Sequence, residues 1–456
     1  QKLKLAKDNW DSPVIFTTMV QFLNVFYSIG SRNIRRLHNL CESVIIFDEV
    51  QKVPVSCVSL FNQALNFLKK YGNSSIVLCT ATQPALDFVE HKLAINTDAE
   101  MVDNLEHIVE AFKRVEIIDH ATDGTYNNDR LCEFIIAKLE EVQNVLIILN
   151  TKSVVKRLYD QLKERNLDIP IYHLSTSMCA AHRQDKLSEI RQHLRDGHKM
   201  ICVSTQLVEA GVDISFQCVI RSLAGLDSIA QAAGRCNRHG EGEIQKVYII
   251  DHEEEKLDRL KEIKLGKQIA RKILIDIRRN QSNHGGNILS KPAMDRYFQE
   301  LYSACQSDLN YYVPKLKKNL TDLLTASRRN NSYYQAYRSK FKKELPLYMV
   351  NSYHTAAEHF RVIDDHTTSV IVPYGEGKEI IAELNSDSPI HELTRLLRNA
   401  QRYTINLYEY EMEHLANQNG LVNYLGGKIW ALKEWAYNKE FGVNISNGSS
   451  FELEIY

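Results

Sequence analysis

From Val44 to Gln51 the chain reads Val-Ile-Ile-Phe-Asp-Glu-Val-Gln, an apolar run that ends on two adjacent acids. Such a run predicts a buried strand, and in open parallel sheets ligands bind outside the carboxyl ends of the strands. The pair fits the end of a Walker B strand, in which Asp48 would hold the magnesium of a nucleotide and Glu49 would orient or deprotonate the attacking water. An acidic pair that only caps a strand is the alternative.

A second block, Thr80-Ala81-Thr82, follows the next apolar run, Ile76 to Cys79. Its hydroxyl side chains are predicted to hydrogen-bond the acidic block, and Thr82 would then report to a nucleic-acid site whether phosphate is present. Taken by itself, the same turn is as typical of a helix cap. Its position after the acidic pair favours the first interpretation.

The third block runs from Ser204 to Asp213 and begins where another apolar strand run ends. Thr205 and Gln206 would contact a nucleic-acid backbone. Gly211 would let the main chain approach the nucleotide, and Asp213 would face the ribose or an arginine. The alternative is a loop and helix that end on a glycine C-cap.

The fourth block, Gln231 to Arg238, reads Gln-Ala-Ala-Gly-Arg-Cys-Asn-Arg. Its two arginines, Arg235 and Arg238, are predicted on one helical face, from which both could reach the γ-phosphate of a nucleotide. Gln231 would then lie beside the attacking water. A surface helix with two solvated arginines is the alternative, but the three blocks upstream, in this order, favour the phosphate contact.

In this order the blocks resemble motifs II, III, V and VI of superfamily 2 helicases. Thr17 and Thr18 begin a stretch that resembles the DNA-contacting motif just upstream of them, and Ser175 lies in a stretch that resembles motif IV. The chain is most similar to the CRISPR-associated helicase-nuclease of type I systems, in which the acidic block ends in His or Gln. Tyr353 to Asp364 and Trp435 to Ile445 are similar to that family's C-terminal domain.

The resemblance implies an ATP- and Mg²⁺-dependent motor that moves 3′ to 5′ along single-stranded DNA and is recruited by a CRISPR surveillance complex. The residues expected to contact DNA are Thr17, Thr18, Thr82, Ser175, Thr205 and Gln206, and those expected to contact the nucleotide are Gly211, Asp213, Arg235 and Arg238. One alternative is an RNA helicase of the same superfamily. Another is a non-catalytic DNA-binding and docking module.

The sequence contains no Gly-x-x-x-x-Gly-Lys-Ser/Thr pattern and no His-Asp metal pair with upstream His ligands. The glycine-rich pattern is that of the phosphate-binding loop, which cradles a bound nucleotide. We therefore expect that loop and the HD nuclease to belong to a segment upstream of Gln1. The chain by itself is then expected to be incomplete for catalysis.

The expected fold is α/β, with two RecA-like parallel-sheet domains, the first truncated, and an α+β C-terminal accessory domain. Strand runs alternate with helix-period segments as far as about residue 280, which predicts parallel βαβ units. Polar stretches place the domain boundaries, giving residues 1–119, 120–285 and 286–456. Short strands are predicted in the last region at Val362-Ile363 and at Gly442 to Ile445.

Composition limits the class of protein. Of 456 residues, 44% are apolar and 25% are charged, as in an ordinary globular chain. The 56 Lys and Arg balance 57 Asp and Glu, so any nucleic-acid surface must be local. Nine cysteines without a Cys-x-x-Cys pair argue for a reducing cytoplasm, and no apolar run approaches the length of about 18 residues that suggests a membrane span.

Overall fold

Strands and helices alternate along the chain, and the fold is mixed α/β, as the apolar patterning predicts. The computed structural model describes residues 8–363, 367–386 and 393–445. The strands are β1 Val44–Asp48, β2 Ser75–Cys79, β3 Val115–Asp119, β4 Thr125–Tyr126, β5 Asn144–Ile148, β6 Ile171–Leu174, β7 Met200–Ser204, β8 Cys218–Ser222, β9 Gln245–His252, β10 Tyr312–Val313, β11 Lys318–Asn319, β12 Thr367–Ile371, β13 Thr404–Tyr408, β14 Leu421–Tyr424, β15 Ile429–Leu432, β16 Tyr437–Asn438 and β17 Gly442–Val443.

Helices connect most of the strands. They are α1 Met19–Tyr27, α2 Ser31–Ile34, α3 Val58–Lys70, α4 Leu105–Ala111, α5 Asn128–Glu141, α6 Lys152–Glu164, α7 Ala180–Arg195, α8 Leu226–Ala233, α9 Lys261–Arg279, α10 Lys291–Ala304, α11 Leu320–Thr325, α12 Ser332–Phe341, α13 Tyr353–His359, α14 Gly377–Asn385, α15 Leu393–Ala400 and α16 Glu409–Asn417. Within the described ranges, none is long and apolar enough to cross a membrane.

Contacts within the chain divide it into two units. One comprises Gln1–Asp103 and Asn280–Asp364, and the other comprises Asn104–Arg279 and Asp365–Tyr456. This division differs from the boundaries expected from sequence. Residues 286–364 group with the first region instead of with the C-terminal domain, because contacts such as the 2.7 Å hydrogen bond from Ser59 Oγ to Asn310 Oδ1 join them to it.

The first unit is built around two parallel strands. β1 pairs with β2 from Val44 opposite Ser75 to Asp48 opposite Cys79, so both strands end at the same edge. Phe47 on β1 packs edge-to-face against Phe22 and Phe61, with ring centroids 4.9 and 5.0 Å apart. These aromatic contacts fix β1 against α1 and α3 and so position the residues that follow the strand.

The second unit contains a parallel sheet with the strand order β3-β9-β8-β5-β7-β6, to which β4 adds beside β9. Every residue of β5 is buried, because β5 has a strand on each side and the helices α5 and α6 packed against it. Strand β3, which we had expected before the boundary at residue 119, pairs with β9 from Val115 opposite Gln245. Its polar flank therefore does not mark the start of a domain.

The C-terminal part of this unit is a four-stranded mixed sheet, β13-β12-β15-β14, covered by α14, α15 and α16. The strand predicted at Val362-Ile363 is not formed, and these two residues lie in a bend. β17 is shorter than predicted and ends at Val443. Cys179 and Ala181, beside and within α7, belong to the same apolar cluster as this sheet, so the sheet packs against the start of α7.

Candidate nucleotide and nucleic-acid site

The acidic block lies at the carboxyl end of β1, as predicted. Asp48 is the last residue of the strand and is exposed, and its Oδ1 accepts a hydrogen bond of 3.1 Å from the backbone N–H of Glu49. Glu49 adopts a left-handed conformation with φ of 54°, which turns the chain into the 3₁₀ turn Val50–Lys52. Val50 is fully buried below it. The two carboxylates are therefore held outside the strand end by a turn that is anchored in the core.

Gln51 links the acidic block to the threonine block. Its Nε2 donates to Oε2 of Glu49, and its Oε1 accepts from Oγ1 of Thr80. Oγ1 of Thr80 in turn accepts from the backbone N–H of Thr82 at 3.0 Å. The hydrogen bond expected between the two blocks is thus present, and it passes through a glutamine to which sequence reasoning had given no role.

The threonines of the first unit that were predicted to contact DNA differ in exposure. Thr17 and Thr18 are exposed, and Oγ1 of Thr18 caps α1 by accepting from the N–H of Gln21 at 3.2 Å. Thr82 is 1% exposed, and its Oγ1 has no hydrogen-bond partner among the residues that the structure describes. A buried hydroxyl without a partner is unfavourable. Thr82 therefore holds an unused donor and acceptor beside the acidic block.

The carboxylates suit a nucleotide-bound magnesium better than a metal held by the protein alone. Within the described part of the chain, no group of three or more His, Cys, Asp or Glu residues is arranged to hold a metal. Mg²⁺ that accompanies a nucleotide commonly uses only one or two carboxylates, together with phosphate oxygens and water. The exposed Asp48 meets that smaller requirement.

The third block follows β7, as predicted, but only the short 3₁₀ turn Gln206–Val208 forms in it. Thr205 is 8% exposed, and its N–H donates to Leu174 O at 3.1 Å. Gln206 is half-buried, and its Nε2 lies 3.5 Å from Oδ1 of Asn150. Gly211 has a φ of 70°, in the left-handed region that favours glycine, with open space where a Cβ would lie.

Ser175, the candidate of the motif IV stretch, is fully buried. Its Oγ accepts a hydrogen bond of 3.2 Å from the N–H of Ser177 and so shapes the turn that follows β6. Of the three DNA-contact candidates in this unit, Gln206 thus presents the most accessible side chain. Ser175 and Thr205 hold the turns at the strand ends.

The arginines of the fourth block do not share a helical face, so this prediction is wrong. Helix α8 ends at Ala233 and carries only Gln231 of the predicted residues, at 7% exposure. The chain leaves the helix because its backbone pairs with Phe216 instead: Phe216 N–H donates to Arg235 O, and Asn237 N–H donates to Phe216 O, both at 2.9 Å. Asn237 then turns the chain with a φ of 45°.

Arg235 is a buried residue that binds backbone. It is 6% exposed, and its Nε and Nη2 donate to the carbonyl oxygens of Val208 and Glu209 at 2.7 and 2.6 Å. These carbonyls belong to the third block, so Arg235 fixes the shape of that loop. A phosphate contact would require these two hydrogen bonds to be exchanged.

Arg238 is held differently. Its side chain is 39% exposed, and its Nε lies 2.9 Å from Oδ1 of Asp213, whose own side chain is 71% exposed. The expectation that Asp213 faces an arginine is therefore confirmed. The backbone of Arg238 is anchored at both of its polar groups. Its N–H donates to Ser215 Oγ at 2.9 Å, and its carbonyl oxygen accepts from the guanidinium of Arg114. Arg238 is thus an exposed cation on a fixed backbone.

Sequence reasoning missed a buried ion pair beneath these loops. Arg221 in β8 is fully buried, and its Nε lies 2.9 Å from Oε1 of Glu209. Ser228 on α8 joins them, accepting from Arg221 Nη2 and donating to Glu209, each at 2.8 Å. The signal was available: an arginine inside an apolar strand must find a buried partner.

A second buried network lies beside Gln206. Asn150 follows β5, and its Nδ2 donates to Oε2 of Glu255 at 2.6 Å. Ser222, at the end of β8, also donates to this carboxylate, at 2.7 Å. Side chains that follow three neighbouring strands therefore meet at one edge of the sheet, the carboxyl edge at which ligands of parallel sheets bind.

His182 on α7 is hydrogen-bonded to the hairpin formed by β16 and β17. Its Nδ1 accepts from Tyr437 OH at 2.9 Å, and its Nε2 donates to Lys439 O at 2.8 Å, so the neutral ring satisfies both atoms. Burial lowers the pKa of His182 to about 4, and burial likewise lowers the pKa of the neighbouring His173 to about 4. The contact is therefore built for an uncharged histidine.

Comparisons with known proteins show which proteins the chain resembles. The family model "CRISPR-associated nuclease/helicase Cas3, C-terminal" matches residues 141–241. The chain is 24% identical over 243 residues to the CRISPR-associated nuclease/helicase Cas3 of Methanothermobacter thermautotrophicus, covering 50% of this chain and 28% of that protein. It is also similar to the crystal structure of T. fusca Cas3 with ATP, with a TM-score of 0.55, 15% identity, and coverage of 91% of this chain and 53% of the other.

A chain in a CRISPR RNA-guided surveillance complex, in a pre-nicking state, is similar with a TM-score of 0.55 and 15% identity over 93% of this chain and 57% of that chain. Across these alignments this chain spans between 28% and 57% of the other protein's length. The fold defines the class: a mixed α/β protein with a large parallel sheet, similar to the RecA-like domains of solved Cas3 structures. The chain is similar to Cas3 proteins in sequence and in fold, and the resemblance drawn from its motifs is confirmed.

Proposed function

We propose that the protein is an ATP-dependent helicase that moves 3′ to 5′ along single-stranded DNA during CRISPR interference in the cytoplasm. The observation that carries this proposal is the hydrogen-bonded line from Glu49 through Gln51 to Thr80 and Thr82. It joins a strand-end acid to a hydroxyl turn on the neighbouring parallel strand, the arrangement that a phosphate-sensing motor requires. Similarity to Cas3 supports a helicase role in CRISPR defence.

The relatives also support the nucleotide and the partner. One structural neighbour is a Cas3 with ATP, and another is part of an RNA-guided surveillance complex. We propose that this chain likewise uses ATP with Mg²⁺ and meets such a complex. Since the sequence contains no P-loop pattern, we also propose that the phosphate-binding loop and the HD nuclease belong to a segment outside these 456 residues.

The side chains then have distinct tasks. Asp48 would hold the magnesium of the bound nucleotide, which supplies charge stabilisation for the transferring phosphate. Glu49, oriented by Gln51, would position the attacking water. Arg238 would exchange Asp213 for a bound phosphate, as an arginine finger does. Arg235 does not contact the phosphate in this scheme, because its donors hold the loop that contains Gly211.

The test is steady-state ATP hydrolysis by the protein that contains this chain and the P-loop segment, with single-stranded DNA, with single-stranded RNA and without nucleic acid. We expect stimulation by DNA. Greater stimulation by RNA would contradict the DNA assignment and favour an RNA helicase. DNA binding without turnover, in protein that binds ATP, would favour the docking module instead.

A further inference from the structure

An exposed aromatic pair lies at the start of α16. Tyr408 and Tyr410 are 44% and 50% exposed, and their rings are nearly parallel, with centroids 5.8 Å apart and an interplanar angle of 11°. Two large aromatic faces side by side offer flat surface on which another planar ring can stack. Neither tyrosine belongs to the blocks that define the motor.

Two basic side chains border the pair. The guanidinium of Arg259 lies 4.9 Å from the ring centroid of Tyr410, and Nζ of Lys152 lies 5.9 Å from that of Tyr408. Lys152 is also paired at 3.0 Å with the buried carboxylate of Glu411, so its charge is largely compensated. Arg259 is exposed. The surface therefore combines aromatic faces with the exposed cation of Arg259, and Glu409, between the two tyrosines in sequence, keeps the local charge from being strongly basic.

The pair is continuous with the proposed nucleic-acid residues. Lys152 and Arg259 lie in the segments that follow β5 and β9, and these segments also carry Asn150 and Glu255 of the network beside Gln206. Between Asn150 and Lys152, Thr151 has a buried Oγ1 without a hydrogen-bond partner among the described residues. An unused polar group thus lies in the segment that joins the network to Lys152.

We propose that Tyr408, Tyr410 and Arg259 form a base-stacking platform for single-stranded nucleic acid that has passed Gln206. This inference rests on the proposed function. Every base has a π face, so stacking on tyrosine holds a moving strand without reading its sequence, and an arginine plane stacks in the same way. A protein partner could use tyrosine and arginine as well, but continuity with Gln206 at the carboxyl edge of the sheet favours the strand.

The test is fluorescence anisotropy of a labelled oligothymidylate with the full chain at several salt concentrations. We expect the double variant Tyr408→Ala/Tyr410→Ala to weaken binding about tenfold or more at every salt concentration, since each stacked base contributes a factor of this order. The salt slope should be unchanged, and Tyr408→Phe/Tyr410→Phe should restore binding. Arg259→Gln should weaken binding and reduce the slope by about 1.

Tyr71→Ala is the matched control, because Tyr71 is also an exposed tyrosine, 71% accessible, with Lys70 5.4 Å from its ring centroid. It should bind as the wild type does. Equal affinity of the alanine double variant and the wild type, with equal melting temperatures, would overturn the platform. So would loss of binding to the surveillance complex with DNA affinity unchanged, since the surface would then dock protein.

The two proposals can fail separately. A wild-type chain that binds no oligonucleotide would overturn both the platform and the single-strand part of the proposed function. Binding that Gln206→Ala weakens, but that the double alanine variant leaves unchanged, would overturn the platform alone.

Discussion

The acidic block after β1 and the arginine turn after α8 hold their charged groups in opposite ways. Asp48 is exposed, and its side chain accepts a hydrogen bond from the backbone N–H of the next residue. In the arginine turn, Arg235 is 6% exposed and is bound to two backbone carbonyls, whereas Arg238 keeps a solvent-exposed ion pair. Charged residues that look alike in the sequence thus have different roles: some side chains are available to a ligand, and others hold loops in place.

The sheets explain part of this difference. Among the residues that the structure describes, β1 pairs with one strand, and Val44 and Ile46 on it are 68% and 64% exposed. β5 is buried at all five positions between two parallel strands. Loops at the edge of the larger sheet therefore run over buried backbone that needs hydrogen-bond donors, and buried arginines such as Arg235 and Arg221 supply them.

Substituting Arg238 should have the largest effect. Arg238→Ala is expected to lower DNA-stimulated ATP turnover on the order of 10³-fold in the protein with its P-loop, with DNA affinity unchanged. Because an exposed ion pair contributes about 0–1 kcal/mol, the free energy of unfolding should change little. Arg165→Ala, at an exposed arginine 4.0 Å from Asp129, is the control. Wild-type turnover in Arg238→Ala would contradict the assignment.

Asp48→Ala tests the exposed acidic block after β1. If Asp48 holds the nucleotide's magnesium, turnover should fall by about 100-fold or more, since even residues that only support a metal ligand cost 10–100-fold. Raising the Mg²⁺ concentration should recover part of the loss. Asp98→Ala, at another exposed acid of the same unit, should behave as wild type. Turnover that does not depend on Asp48 would make the pair a simple strand cap.

Arg235→Ala should act mainly on stability. Its loss leaves two buried carbonyl oxygens without donors and opens a cavity, so the free energy of unfolding should fall by about 2–4 kcal/mol. Chemical denaturation measures this change. Arg235→Lys should recover part of it through one hydrogen bond. A variant as stable as the wild type but without turnover would show that Arg235 serves the phosphate after all.

The free energy of unfolding should depend on pH through His182. Burial lowers its pKa to about 4 in the folded chain from 6.5, so the unfolded chain binds more protons between these values. The contribution of His182 to the free energy of unfolding is therefore fully present above about pH 6.5 and decreases as the pH is lowered. The decrease is about 2 kcal/mol at pH 5 and levels off below about pH 4. His173 contributes in the same direction, so His182→Gln should remove only part of the slope. An unchanged slope would contradict the buried neutral anchor.

The smallest effect is expected at Thr80. Thr80→Val removes the hydroxyl between Gln51 and Thr82 while keeping the shape of the side chain. The ratio of DNA-stimulated to unstimulated turnover should fall several-fold, and the unfolding free energy should fall by about 1 kcal/mol. Thr80→Ser, which keeps the hydroxyl, is the matched control. A ratio unchanged in Thr80→Val would separate the threonine block from phosphate sensing.

Much of the architecture is readable from local pattern. The apolar runs that end at Asp48, Cys79 and Ser204 are strands, and the segments between the strands are largely helices, because a short continuous apolar run favours a strand and apolar residues at helical spacing favour a helix. The ordered blocks also indicated the similarity to Cas3 proteins, since each combines residue types at short spacing. Spacing along a chain determines which groups can meet within one turn.

Tertiary structure decided which partners the charged side chains of these blocks contact. Arg235 and Arg238 were predicted on one helix face, but pairing of their backbone with Phe216 ends the helix at Ala233 and sends the two side chains to different partners. Grouping of residues 286–364 with the first unit was likewise unreadable. The sequence determined where strands end and which chemistry follows them. Long-range pairing decided which side chains stay exposed, because burial depends on neighbours distant in the chain.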